Sequence, residues 1–314
     1  MSPPPLLVLG VSRSGTTLLR VMLDRNSLLA IPDESFFVPL LADRHVFKVD
    51  ADDFLDDVSR LETVREWGVP LDKLRTRLTD GMPTARAIAA IYEVYAEGQG
   101  KPRWGDKTPM YMRHLRLLPR LFPRAQYVHL IRDGRDAAVS FLSLPPGVAF
   151  ETWGHPRSAA DFACLWRREI KAARRLGRRL GSERYLEVRY EDLIADPESV
   201  LRTICAFAGL PFERAMLDHG GSRSEERTHQ QSLRRPLSTG LRDWRSDLPP
   251  ADGAAFERVA GDLLSELGYE ADGEVDAGGK ARRAAYRAQV AGWRAATFAY
   301  RRSPLWERRH PVLR

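Results

Sequence analysis

The chain has 314 residues, 43% of them hydrophobic, and a formal net charge of +7. That length and apolar content support a full core, in one large domain or a domain with an appendage, and exclude a disordered or fibrous chain. The charge is local: residues 280–314 hold ten basic residues against one acid, a net +9 that leaves the preceding residues at −2, so no nucleic-acid partner is expected for the main body.

The first element is an apolar run, Leu6-Leu7-Val8-Leu9, behind three prolines. It is too short for a signal peptide or a membrane span, which predicts a cytoplasmic protein without a transmembrane segment. It reads as a buried strand, and Leu18 to Leu23 carry a helical pattern straight after it. Between them lies Gly10-Val11-Ser12-Arg13-Ser14-Gly15-Thr16-Thr17. In such a turn successive backbone N–H groups and the helix N-terminus suit an anion. Gly10 and Gly15 have the spacing of a nucleotide P-loop, but Thr16 stands where that motif has lysine, and Arg13 supplies a cation from inside the loop. Ser, Gly and Thr also make ordinary turns and helix caps. The turn is expected to hold a phosphate or sulfate ester without the lysine and magnesium geometry.

Next comes Ile31-Pro32-Asp33-Glu34-Ser35-Phe36-Phe37. Two readings stand: Asp33 caps a helix with Glu34 in its first turn, or Glu34 faces the anion pocket and takes a proton from an attacking hydroxyl. Short helices are predicted over residues 52–61 and 71–78, and a longer one opens at Met82-Pro83-Thr84 and stops at Gly98-Gln99-Gly100. Residues 101–109 read as a turn-rich bridge into a helix over 110–122. Lys107 then falls at that helix start, where the dipole disfavours a cation unless an anion accompanies it. A ligand is one explanation and a solvated loop lysine the other.

A second strand, Ala125 to Ile131, ends in Arg132-Asp133-Gly134-Arg135 and runs into a helix. At the carboxyl end of a parallel strand Arg132 is placed for a ligand crevice, and Ser140 follows two helical turns on. Guanidinium plus hydroxyl suits a phosphate monoester. Alternatively Asp133 caps the helix while Arg135 and Asp136 form a solvated face. His129, inside the strand, reads as a core histidine, and Cys164 and Cys205, without metal spacing, as core residues.

With both elements in view the chain resembles the sulfotransferases that use 3′-phosphoadenosine 5′-phosphosulfate (PAPS). The resemblance runs from Leu6 to Tyr269 and is sharpest in Arg13-Ser14-Gly15-Thr16-Thr17-Leu18-Leu19-Arg20-Val21-Met22-Leu23-Asp24, which is similar to the protein-tyrosine sulfotransferases and their bacterial relatives. It implies that residues 13–17 form the loop for the 5′-phosphosulfate, that Arg132 and Ser140 hold the 3′-phosphate, that Arg13 and Lys107 act on the transferring sulfonate, and that Glu34 is the base. Tyr190, between a strand over 183–188 and a helix over 197–207, stands where the family holds adenine, although a core aromatic fits equally. The loop over 220–236 is long enough to be functional, with Ser224 on the cofactor side. Arg235, Gly240, Arg242 and Trp244 are expected to complete the 3′-phosphate wall.

A helix from Pro249 through Leu267 closes a sulfotransferase domain of residues 1–270, followed by a linker over 271–279 and a basic helical extension over 280–314. Tyr286, Val290, Trp293 and Tyr300 recur near helical spacing there. Docking on the main domain is favoured; a second subunit, giving a homodimer through the extension, and an anionic surface are the alternatives. The expected fold is α/β, P-loop-like and three-layered, with a central mainly parallel sheet flanked by helices and the basic helical extension at the C-terminus. The expected reaction moves a sulfuryl group by in-line attack from PAPS to a hydroxyl of a small-molecule acceptor, leaving adenosine 3′,5′-bisphosphate, with no metal. Sulfation of tyrosine in a peptide is the alternative acceptor. A small-molecule kinase would need the lysine that Thr16 replaces.

Overall fold

A computed structural model describes residues 3–144, 155–218, 243–271 and 276–301. In chain order the elements are β1 (Leu6–Leu9), α1 (Thr16–Asp24), β2 (Leu29–Ala30), α2 (Val38–Arg44), α3 (Ala51–Ser59), α4 (Glu62–Glu66), α5 (Leu71–Arg77), α6 (Thr84–Gly98) and β3 (Arg103–Lys107). A 3-10 turn (Pro109–Arg113), α7 (Leu118–Leu121), β4 (Gln126–Ile131), α8 (Gly134–Leu142), α9 (Ala159–Leu180), β5 (Tyr185–Arg189), α10 (Tyr190–Ala195) and α11 (Pro197–Ala208) follow. After a 3-10 turn at Arg214–Leu217 come α12 (Trp244–Asp247), α13 (Pro250–Glu266) and α14 (Ala277–Arg301). The chain divides into two compact units, one of residues 1–131 and 172–239 and the other of 132–171 and 240–314, with α9 running through both.

The first unit is built on a five-stranded sheet of order β2-β3-β1-β4-β5, and every strand pairing is parallel. The α/β expectation is therefore borne out. β1 is central: Leu6 pairs in register with Gly105 and Gln126, and Leu9 with His129. Its four residues are buried, as a strand covered on both faces must be. Leu18, Leu19 and Met22 of α1 join Val128, Leu130, Leu201 and Ile204 in one core cluster under the sheet.

β3 corrects the sequence reading, which has a turn-rich bridge where the strand stands. Its sequence, Arg-Trp-Gly-Asp-Lys, is buried throughout although three of its five residues are charged. Each charge is compensated locally: Arg103 donates to the Ala208 carbonyl (2.6 Å) and to Gln126 Oε1 (2.8 Å), and Asp106 and Lys107 have partners described below. With polar side chains at buried positions the strand has no hydrophobic pattern to read. The helix expected over 110–122 is instead the 3-10 turn and α7, interrupted at His114; Pro119, with no N–H to continue a ladder, sits near the start of α7.

In the second unit Arg135 is the hub. It is 1% exposed, which overturns its reading as a solvated surface residue. Its guanidinium donates to both carboxylate oxygens of Asp133 (3.1 and 2.8 Å), to Glu257 (2.5 Å) and to the Glu270 carbonyl (2.7 Å), and lies 3.9 Å from the centre of the Trp244 ring. Asp133 also caps α8 through the Arg135 N–H. α14 packs on α13 in this unit: Arg283 donates to the Val259 carbonyl (3.3 Å), Arg282 pairs with Asp161, and Tyr286 is 2% exposed. Cys164 and Cys205 are both buried, as expected of core residues.

Candidate active site

The loop between β1 and α1 takes its shape from two left-handed residues, Arg13 at φ 72° and Gly15 at φ 85°. A side chain at Gly10 would meet Thr16 Cγ2 at 2.4 Å and the Leu130 carbonyl at 3.0 Å, so the chain can turn off β1 only with glycine there. A Cβ at Gly15 would lie 2.4 Å from the ring of Tyr190, which opens α10 and packs directly on the loop. Ser14 is fully buried, and its Oγ has no hydrogen-bond partner among the described residues. A buried hydroxyl with no such partner, in a glycine turn at a helix start, suits an anion ligand.

Lys107 ends β3 and is 1% exposed. Its Nζ donates to Glu34 Oε1 at 2.5 Å and to Thr17 Oγ1 at 3.2 Å. Three candidates chosen from distant parts of the sequence, Thr17, Glu34 and Lys107, thus meet at one ammonium group. Burial pushes the Lys107 pKa down; the neighbouring Glu34 carboxylate acts in the opposite direction, while the Arg20 guanidinium adds to the depression. A buried cation of this kind persists only because it is paired.

Glu34 stands on an irregular segment between β2 and α2, and α2 starts only at Val38. Asp33 therefore caps no helix, which corrects that reading; its carboxylate pairs with Arg20 Nη2 at 3.1 Å, and Arg20 Nη1 donates to the Ile31 carbonyl at 3.0 Å. Arg20, 6% exposed on α1, holds the acidic segment beside the phosphate loop.

Behind the Lys107–Glu34 pair lies a group that the sequence reading missed. Ser35 Oγ donates to Asp106 Oδ2 (2.6 Å), Tyr92 OH donates to the same oxygen (2.9 Å), and Ser35 Oγ lies 2.6 Å from Tyr111 OH. Their one sequence signal is adjacency: Ser35 follows Glu34, and Asp106 precedes Lys107.

Arg132 and Ser140 belong to the second unit, both 7% exposed. Arg132 Nη2 is 3.8 Å from Asp136 Oδ2, and the Arg132 carbonyl accepts from Trp166 Nε1 at 3.2 Å. Asp136 and Ser140, four residues apart on α8, share one helix face. Ser224, Arg235, Gly240 and Arg242 lie outside the described residues. His129 is buried as expected, with Nδ1 2.6 Å from Tyr185 OH.

A family model described as the sulfotransferase family matches residues 4–214. The chain is 28% identical over 279 residues to protein-tyrosine sulfotransferase 1 of Mus musculus, covering 85% of this chain and 70% of that protein. It is 27% identical over 306 residues to nodulation protein NoeE of Sinorhizobium fredii, covering 86% and 67%. Among solved structures, the sulfotransferase domain of the Synechococcus PCC 7002 olefin synthase has a TM-score of 0.60 at 28% identity, covering 86% of this chain and 96% of that one. The sulfotransferase domain from the curacin biosynthetic pathway, at 24% identity and TM-score 0.60, shares the fold.

Proposed function

Because this chain belongs to the sulfotransferase family, whose sulfate donor is PAPS, we propose that it transfers the sulfuryl group to the hydroxyl of a small-molecule acceptor with Glu34 as base. The observation that carries the assignment is the Lys107 ammonium held between Glu34 and Thr17 beside the phosphate loop. The loop fits the donor's phosphosulfate: Ser14 Oγ is buried with no hydrogen-bond partner among the described residues, and the left-handed Gly15 stands at the N-terminus of α1. Residues 13–17 would hold that group and Tyr190 would flank it, with Arg132 and Ser140 as the ligands for the 3′-phosphate. When bound, PAPS supplies a sulfuryl group already activated as a mixed anhydride.

The chain's own residues do the rest. Glu34 accepts the proton of the acceptor hydroxyl as that oxygen becomes the nucleophile. Lys107 and Arg13 present fixed positive charge to the anionic groups being exchanged, and this preorganised charge is their share of catalysis. A small-molecule acceptor is supported by the likeness to the sulfotransferase domain of the Synechococcus PCC 7002 olefin synthase, 96% of which the match covers. Tyrosine in a peptide is the second reading, favoured by the matches to protein-tyrosine sulfotransferases.

The test uses labelled PAPS with panels of aliphatic alcohols, phenols and tyrosyl peptides. Sulfation confined to the peptides would overturn the small-molecule reading. On the best acceptor, Glu34→Gln and Lys107→Ala should each lower kcat by about a hundredfold or more, with the Kd for adenosine 3′,5′-bisphosphate changed only a few-fold. A variant with the unaltered rate would remove its residue from the chemistry.

A further inference from the structure

Glu34 has no helix or strand to hold it. The segment that carries it is irregular, and two residues on Phe36 takes a left-handed backbone at φ 55°, a conformation that costs energy in a non-glycine residue. A base on such a segment needs an external brace. The buried group behind it supplies one that runs from this segment to the end of β3. Ser35 N–H donates to Thr108 Oγ1 (3.0 Å), Ser35 Oγ to Asp106 Oδ2 (2.6 Å), and Tyr111 OH, 2.6 Å from Ser35 Oγ, accepts from Val38 N–H (3.1 Å). The bonds therefore tie the residue after Glu34 to the residues on both sides of Lys107. All of these groups are buried, Ser35 and Tyr92 completely and Asp106 to 3% exposure.

On the assignment of Glu34 and Lys107 made above, we propose that Asp106, Ser35 and Tyr111 are positioning residues that fix the base against the lysine. The ionised Asp106 carboxylate is the centre of the brace, because its Oδ2 collects hydroxyl donors from Ser35 and Tyr92, with Thr108 Oγ1 at 3.4 Å. Bonds to a carboxylate are about twice as strong as those between neutral groups, so losing the charge slackens the segment. Burial raises the Asp106 pKa to about 6, against the pull of the Ser35, Tyr92 and Thr108 hydroxyls and the Lys107 charge. The groups facing it are Tyr92 from α6, Tyr111 from the 3-10 turn, Lys107 from its own strand and the two hydroxyls; in neutral solution it is ionised and the brace is tight.

The test is a double-mutant cycle in kcat between Asp106→Asn, which keeps the shape and removes the charge, and Glu34→Gln. Asp106→Asn should lower kcat about tenfold at pH 7.5 while the KM for PAPS and the Kd for adenosine 3′,5′-bisphosphate hold, and should cost nothing further in the Glu34→Gln background. The ratio of unaltered to Asp106→Asn rates should fall toward one below about pH 6, where the protonated Asp106 carboxyl is as uncharged as the asparagine amide that replaces it. Ser35→Ala should behave like Asp106→Asn, and Ser35→Thr, which restores the hydroxyl, should recover the rate. If Glu34→Gln slows turnover but Asp106→Asn does not, or if the two losses multiply in full, the brace is refuted and the base assignment stands. If Glu34→Gln turns over normally, the base assignment falls and takes the brace with it.

Discussion

Lys107 carries a charge in a place where burial opposes it, and its depressed pKa makes that charge sensitive to alkali. A lysine acting as a cation loses its effect as pH rises through its folded-state value, so turnover should decline on the alkaline side below the ~10.4 of a free lysine. Lys107→Arg, which stays protonated, should move that limb upward in a kcat profile; an unmoved limb would assign it to another group. Asp106 has the opposite sign. Its carboxyl binds a proton near pH 6 in the folded state and at the ordinary 3.8 when unfolded, so folding stability falls as pH rises through this interval and the cost persists above it. Asp106→Asn should therefore melt higher than the unaltered protein at pH 7.5, by a free energy on the order of a few kcal/mol, and the difference should shrink toward pH 4. A lower melting temperature at pH 7.5 would contradict that account. The sequence marked Arg13, Glu34 and Lys107 because their neighbours form a motif. It could not mark the contact between Ser35 and Asp106, which are 71 residues apart, because nothing in either stretch records the other.

The strand-turn-helix from Leu6 to Asp24 was legible because its signals are local: an apolar run, two glycines and a helical period within a few residues of one another. β3 was not, because it buries charge in place of hydrocarbon, and the helix expected over 110–122 was overcalled because apolar residues around Pro119 imitate a helical face. The loop itself makes a testable demand. Gly15→Ala puts a methyl group on a left-handed residue and within 2.4 Å of the Tyr190 ring. The backbone term alone costs about 1–2 kcal/mol, so the variant should melt lower and bind adenosine 3′,5′-bisphosphate more weakly, and adding Tyr190→Ala should relieve the steric part. Unchanged melting and affinity in Gly15→Ala would mean that the loop is not held as described.

Two buried groups act on the protein's acid stability with opposing sign. His129 is buried beside Tyr185, and burial, with the Arg174 charge, lowers its pKa to about 3. The unfolded chain takes up that proton near 6.5 and the folded protein does not, so this residue withdraws stability as pH falls below about 6.5. Asp106 returns stability between about 6 and 3.8, over a narrower interval, so the net slope should be toward acid unfolding. Urea titrations at pH 7.5 and 4.5 should show the loss, and His129→Gln should flatten it; a slope unaltered by that change would place the acid sensitivity elsewhere.

The register of the central strand also fixes when the protein can first bind its donor. β1 is made before the strands on either side of it, β3 and β4, which end at Lys107 and Ile131. Pairings of such long sequence separation are slow to close. A nascent chain stalled before β4 thus displays every residue of the phosphate loop with one flank of its scaffold still unmade, and it should be unable to hold PAPS until synthesis has passed Ile131.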